Sequence, residues 1–313
     1  MNIRLVLTST LTMTASCMIA QSFHYPKAPQ DNTVDTYFGT QIADPYRPLE
    51  DDNSAETERW VTAENALTRH YLDQLPQRPK LMKRLKEVAN YEKVSTPFKR
   101  HGTWYVYKNN GLQNQSVLYK MDKLGGTLHE VLDPNKLSSD GTVALKSVSF
   151  SHNGRYMAYI VSRNGSDWQE IYVKDLETGQ DLTDHIEWAK FSNAAWRGDG
   201  FYYSAYDAPT GHAFTSKNEV HKIYYHKLGT PQSEDELFYQ NPAFPLRFYD
   251  VMVNKEETVM YLTESGEGSG NNLYVRDLRR PDAQFVQMTN DMNLQYSPVQ
   301  TVGDSIYIFT NSG

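Results

Sequence analysis

Two hydrophobic periods divide the chain. Within residues 53–88, apolar positions recur at three- and four-residue steps, whereas from about residue 91 onward they alternate every second residue. In the first region Trp60, Ala63, Leu67 and Tyr71 form one stripe of an amphipathic helix. Asn53 and Glu56 have the spacing of a capping box at its start, and Pro76 ends it. Pro79 suits the first turn of a second short helix, whose buried face would be Leu81, Met82, Leu85 and Val88. Residues 25–52, rich in Pro, Asp and Tyr, have no helical period and read as an extended arm with a turn at Ala43-Asp-Pro-Tyr46.

The strand region repeats itself. Val148-Ser-Phe-Ser-His-Asn-Gly-Arg-Tyr-Met-Ala-Tyr159, Ala194-Ala-Trp-Arg-Gly-Asp-Gly-Phe-Tyr-Tyr203 and Tyr249-Asp-Val-Met-Val-Asn-Lys-Glu-Glu-Thr-Val-Met-Tyr261 are each a short strand, a polar turn and an aromatic-rich strand. Each is followed by a third strand, Ile171-Tyr-Val-Lys-Asp-Leu-Glu-Thr-Gly179, Ile223-Tyr-Tyr-His-Lys-Leu-Gly229 or Leu273-Tyr-Val-Arg-Asp-Leu278. Residues 97–132 are an earlier copy, and Val299-Gln-Thr-Val-Gly-Asp-Ser-Ile-Tyr-Ile-Phe309 begins a later one. A period of this length with several strands per unit is that of β-propeller blades. The predicted class is therefore mainly β, with about four and a half blades over residues 91–313 and an arm with two short helices over residues 23–90. One blade cannot bury both faces of its sheet, so each depends on its neighbour.

Composition narrows the partners. The chain has 31 Lys+Arg against 38 Asp+Glu, a net charge of −7, and no basic stripe, which argues against nucleic acid. Its 22 tyrosines sit within strand patterns rather than among basic clusters, as expected of rings covering a pleated surface. Residues 1–22 stand apart. Arg4 precedes an apolar run, residues 5–20, too short to span a bilayer, which reads as a secretory signal and predicts export to the periplasm or envelope. Cys17, the sole cysteine, follows Thr14-Ala-Ser16, a lipoprotein-like box with Thr14 where an aliphatic residue is usual. Two alternatives follow: lipidation of Cys17, which would bring the protein to a membrane, or cleavage after Ala20, which removes Cys17. Either way no disulfide forms in the mature chain.

Few of these residues have the spacing of a chemical site. Ser269 in Gly266-Glu-Gly-Ser-Gly270 has Glu267 and Asn271 where a nucleophile elbow needs glycines, and the run lacks the Lys-Ser/Thr of a phosphate loop. A flexible hairpin tip is the expectation there. The nine histidines show no metal-ligand spacing. His221 and His226, on opposite faces of an extended strand, read as surface residues. Asp51-Asp52 and Glu256-Glu257 read as solvated turn residues, and Asp167 beside Trp168 as a turn cap or a site residue, the two readings standing level. No catalytic residue and no metal site is predicted.

Five stretches carry a more specific signal: Asp44-Pro-Tyr-Arg-Pro-Leu-Glu-Asp51, Asn110-Gly-Leu-Gln-Asn-Gln-Ser-Val-Leu-Tyr119, Leu132-Asp-Pro-Asn135 through Asp140-Gly-Thr-Val-Ala-Leu145, Gly165-Ser-Asp-Trp168, and Lys227-Leu-Gly-Thr-Pro-Gln-Ser-Glu-Asp235. Their order and spacing, from about residue 25 to the last, resemble the prolyl oligopeptidases, serine peptidases that cut short peptides after proline. The resemblance implies a seven-bladed propeller covering an α/β-hydrolase domain, with the arm and helices on the hydrolase side. It implies no metal or organic cofactor, and short proline-containing peptides as partners together with the chain's own hydrolase domain. In the family the catalytic Ser, Asp and His lie C-terminal to the propeller, so the expectation is an incomplete propeller whose hydrolase domain and triad lie beyond residue 313. Lys190-Phe191-Ser192 matches the segment from which a family Phe lines an apolar pocket for substrate residues preceding the proline. Phe191 would take that role by resemblance; the other reading is a core Phe between blades. Phe248 and Glu267 depart from the family's residues, and no role is carried onto them. Two further expectations stand beside the peptidase: a stand-alone propeller binding a peptide, glycan or protein, and a sister peptidase cutting after basic residues.

Overall fold

The computed structural model describes residues 23–51, 53–209, 217–303 and 305–313, so the signal segment and Cys17 lie outside the described residues. The chain divides into two compact units between Arg78 and Pro79.

In the first unit, strands Val34–Tyr37 and Thr40–Ala43 form a hairpin, followed by a 3-10 turn at Arg47–Glu50 and helix α1, Ala55–Asp73. The Asp-Pro-Tyr-Arg motif is an ion-paired turn. Arg47 Nε donates to Asp44 Oδ2 at 2.7 Å, and its Nη2 donates to Asp35 on the hairpin. The cap of α1 is Ser54, not the expected Asn53: the Ser54 hydroxyl accepts from the Thr57 amide at 3.1 Å. The Asn53 amide instead donates to the Asp51 carboxylate, an Asx turn that moves the helix start one residue on. Trp60 and Leu67 of the predicted stripe are half-buried, and Tyr71 meets Phe23 edge-on at 5.2 Å.

Helix α2, Arg78–Ala89, opens at the predicted place, but its apolar face is not buried. Leu81 and Leu85 are 59% and 60% exposed, and Met82 and Val88 are exposed beside them. The three- and four-residue spacing fixes a stripe on the helix; burial also needs a surface to meet it, and none of the described residues supplies one.

The propeller is a series of antiparallel meanders. The first blade pairs Lys93–Val94 and Phe98–Arg100 with Thr103–Asn109, then Val117–Met121 and His129–Leu132. The second runs Val143–Phe150, Tyr156–Arg163, Gln169–Asp175 and Asp181–Ala189. The third runs Ala195–Arg197, Gly200–Ala205, Lys222–Lys227 and Glu236–Gln240. The fourth runs Phe248–Val253, Val259–Ser265, Asn272–Asp277 and Val286–Gln287, and Tyr296–Val302 with Ser305–Thr310 forms a further hairpin.

The cores lie between blades, and the period of two explains why. From one strand, Met157, Tyr159 and Val161 face the first blade, while Ala158 and Ile160 face the third. In the third blade, Phe201 and Tyr203 join the core shared with the second blade, and Tyr202 joins the core shared with the fourth. Both faces of a middle sheet are therefore interior. A single pairing, Ala189 with Ala205, also joins the second and third blades through the backbone.

Candidate functional site

The second and third blades are connected by residues 190–194, and this connector carries the predicted site residue. Phe191 sits at φ 51°, a left-handed conformation that costs a bulky residue about 1–3 kcal/mol and persists only where surroundings enforce it. Two polar contacts grip the corner: the Ser192 amide donates to Gln169 Oε1 at 3.2 Å, and the Ser192 hydroxyl accepts from the Ser204 amide at 2.9 Å. The result is a ring that faces outward. Phe191 is 53% exposed, so it is not a core residue between blades.

Phe191 has a partner that the sequence did not assign. Phe248, at the start of the fourth blade, lies 5.4 Å away between ring centroids with a 38° tilt, and is itself 38% exposed. On the other side, Lys190 Nζ lies 5.0 Å from the Trp168 ring and 5.6 Å from Phe191, a cation held over two aromatic faces with no ion-pair partner among the described residues. Trp168 packs edge-on against Trp188, at φ 59°, with centroids 5.4 Å apart. Asp167 is exposed, and the Trp168 amide donates its turn bond to the Ser166 hydroxyl at 3.0 Å; the turn is capped by the serine. Phe191, Phe248, Lys190 and Trp168 thus form one outward-facing patch at one end of the blades.

The glycine run borders the same patch. Phe248, Gly266, Gly268, Gly270 and Ser297 line a cleft of about 410 Å³. The run is the expected hairpin tip, joining the paired strands Val259–Ser265 and Asn272–Asp277, but it is held down by backbone bonds. The Gly270 amide donates to Met292 O and the Asn271 amide to Leu294 O, which presses the loop onto residues 291–295. A Cβ on Gly270 would stand 1.9 Å from Leu294 O, and one on Gly268 would stand 2.1 Å from Met292 O. Gly270→Ala is accordingly expected to cost about 1–3 kcal/mol, as overpacking does in a well-packed site. A urea-unfolding midpoint equal to that of the parent chain would show that the loop has room to spare.

Glu267 of this run pairs with Arg247 at 3.0 Å, and Arg247 also reaches Glu264 at 3.2 Å while its guanidinium covers Phe244. Burial alone would raise the Glu264 pKa. Donors from Asn272, Tyr274 and Arg247 outweigh it and hold the carboxylate below its ordinary range. This is a structural knot under the first strand of the fourth blade, not a general acid.

The two histidines read as surface residues are both fully buried. His221 donates from Nε2 to Lys190 O and accepts the Tyr249 amide at Nδ1, each at 2.9 Å. His226 lies between two carboxylates, with Nδ1 2.7 Å from Asp235 and Nε2 2.9 Å from Asp184. Their odd separation does place them on opposite faces, one toward the fourth blade and one toward the second. In a propeller both of those faces are interior.

Among the described residues no serine hydroxyl hydrogen-bonds a histidine, and no group of His, Cys, Asp and Glu could hold a metal ion. A larger cleft in the first unit, about 700 Å³ between the arm and α1, has no Ser, Cys or His in its lining.

The family described as "Prolyl oligopeptidase, N-terminal beta-propeller domain" matches residues 26–313. A prolyl endopeptidase of Elizabethkingia meningoseptica is 42% identical over 92% of this chain and 41% of its own length. That of Elizabethkingia miricola is 40% identical over 95% of this chain and 42% of its own. The solved structure of prolyl oligopeptidase B from Galerina marginata, bound to a 35mer hydrolysis and macrocyclization substrate, superposes with a TM-score of 0.75 at 31% identity, over 92% of this chain and 44% of the other. The chain thus spans about two fifths of the length of the relatives it matches.

Proposed function

This chain belongs to the prolyl oligopeptidase family and spans its N-terminal propeller portion, and we propose that it is the substrate-selecting part of a prolyl endopeptidase. The whole enzyme hydrolyses the bond after proline in short peptides through an acyl-enzyme. A Ser-His-Asp triad supplied by a hydrolase domain, not by the residues described here, does the chemistry. The blades restrict access to short, extended peptides. Within them, the Phe191–Phe248 pair receives the apolar residue that precedes the proline, through burial of its side chain. The protein is exported, on the reading of residues 1–22, and Cys17 bears the lipid if that signal is of the lipoprotein type.

The observation that carries this reading is Phe191 itself: a large apolar ring, more than half exposed, held in a strained backbone conformation beside a second exposed ring. Isolated exposed hydrophobics need no explanation, but a ring held in a strained backbone against a second exposed ring does. The division of labour is testable with a fluorophosphonate probe. The purified 313-residue chain is expected to take up no label and to leave a proline-containing peptide intact, while the same chain joined to a hydrolase domain does both reactions. Covalent labelling of the 313-residue chain by itself would place a nucleophile within it and overturn the proposal.

A further inference from the structure

His221 makes two hydrogen bonds, and both go to peptide groups adjoining the exposed rings. Its Nε2 bonds the carbonyl of the Lys190–Phe191 peptide, and its Nδ1 bonds the amide of the Phe248–Tyr249 peptide. We propose that His221 is the positioning residue of the substrate pocket: one side chain ties the two peptides together and so sets the spacing at which Phe191 and Phe248 meet a substrate side chain. The inference rests on the reading of Phe191 as a substrate contact.

The hydrogen-bond roles leave a single protonation state. A backbone amide can only donate, so Nδ1 must carry a lone pair. A carbonyl can only accept, so Nε2 must carry the proton. The imidazole is therefore neutral, and its surroundings keep it so. Burial pushes its pKa down to about 4, and the bond to the Lys190 carbonyl offsets only part of that shift. The Tyr206 ring covers it at 4.6 Å.

His221 enters from the third blade, at the foot of strand Lys222–Lys227, while its partners belong to the connector before that blade and to the first strand of the next. Without it, the Lys190 carbonyl and the Tyr249 amide would each lack this link across the blade boundary. The left-handed Phe191 depends on such constraints, since nothing local favours φ 51° for a phenylalanine. Tyr249, one residue beyond Phe248, is buried in the core, so the bond anchors an exposed ring to a fixed point.

Two conservative variants separate the bonds. In His221→Asn the side-chain oxygen stands near the place of Nδ1 and keeps the Tyr249 bond; in His221→Gln the amide nitrogen stands near Nε2 and keeps the Lys190 bond. In the full-length peptidase, KM and kcat are measured for two peptides that differ only in carrying Phe or Gly before the proline. Both variants are expected to raise KM for the Phe peptide roughly tenfold, the scale of a sub-ångström misplacement, with KM for the Gly peptide and kcat for both unchanged. A general folding defect would lower the active fraction for both peptides alike. An unaltered Phe-to-Gly preference in these variants, with that preference lost in Phe191→Ala, overturns the role of His221. Retention of the preference in Phe191→Ala overturns the substrate reading as well. Should neither histidine variant fold, nitrogen-15 shifts of the parent chain still decide: a neutral Nε2–H imidazole at pH 7 is expected, and the opposite tautomer or an imidazolium contradicts the proposal.

Discussion

Asp235→Ala is expected to destabilise the chain by about 2–5 kcal/mol, the cost of leaving two buried donors, His226 Nδ1–H and the Tyr203 hydroxyl, without their acceptor. His226 is fully buried, and each of its ring nitrogens faces a carboxylate oxygen, Asp235 on one side and Asp184 on the other. Carboxylates accept, so the ring donates twice and is an imidazolium. Asp235 also receives the Tyr203 hydroxyl at 2.8 Å, and Asp184 receives the Gly229 amide at 2.6 Å. Because Asp184 lies in the last strand of the second blade and His226 and Asp235 in the third, the cluster clasps the two blades through charge as well as apolar packing.

The clasp also sets a pH dependence. Burial alone would lower the His226 pKa, but bonds to Asp235 and Asp184 outweigh it and leave it raised above 6.5. A raised value means that the folded chain holds the proton more tightly than the unfolded one. The stabilisation is then fully present below about pH 6.5 and is lost as pH rises through the folded value. Urea midpoints measured from pH 6 to pH 9 should fall for the parent chain and fall less for His226→Gln. A midpoint rising across that range in the parent would reverse the sign and refute the charged clasp.

The blades were legible because the physics behind them is local. Alternation along residues 156–161 and 200–205 gives strands, and Asn-Gly and Asp-Gly pairs give their turns. The same alternation put His221 and His226 on opposite faces, which is correct, but it says nothing of what lies beyond each face. Both turned out to be packed against another blade, at contacts 28 to 42 residues away in sequence. Residues 266–270 failed similarly. Glycine content signals freedom locally, whereas here the missing side chains make room for residues 291–295. Helix α2 shows the converse: its apolar stripe lies where the period puts it, but the period does not supply a surface to cover it, and the stripe is exposed. Of the candidate site, the motif around Lys190-Phe191-Ser192 singled out Phe191. Its left-handed backbone and its pairing with Phe248, 57 residues along, depend on long-range contacts that no short window contains.

Phe191→Ala has the largest expected effect on function. Burying a phenylalanine-sized apolar surface contributes about 1.5–3 kcal/mol, which corresponds to a KM increase of roughly tenfold to a hundredfold where a substrate side chain packs on that ring. The ring is already solvent-exposed, so its removal opens no cavity between blades and the fold should hold. Phe248→Ala should act in the same direction, because it removes the second wall of the pair. Neither change touches a group that makes or breaks a bond, so kcat at saturation should stay near its parent value.

The central claim is that this propeller selects peptides through an exposed aromatic pair. The measurement that tests it most directly is KM for a set of peptides, identical from the proline onward and graded in apolar size before it, in the parent peptidase and in Phe191→Ala. The account predicts KM falling with apolar size in the parent and a flat series in the variant. Parallel series in the two proteins would contradict it.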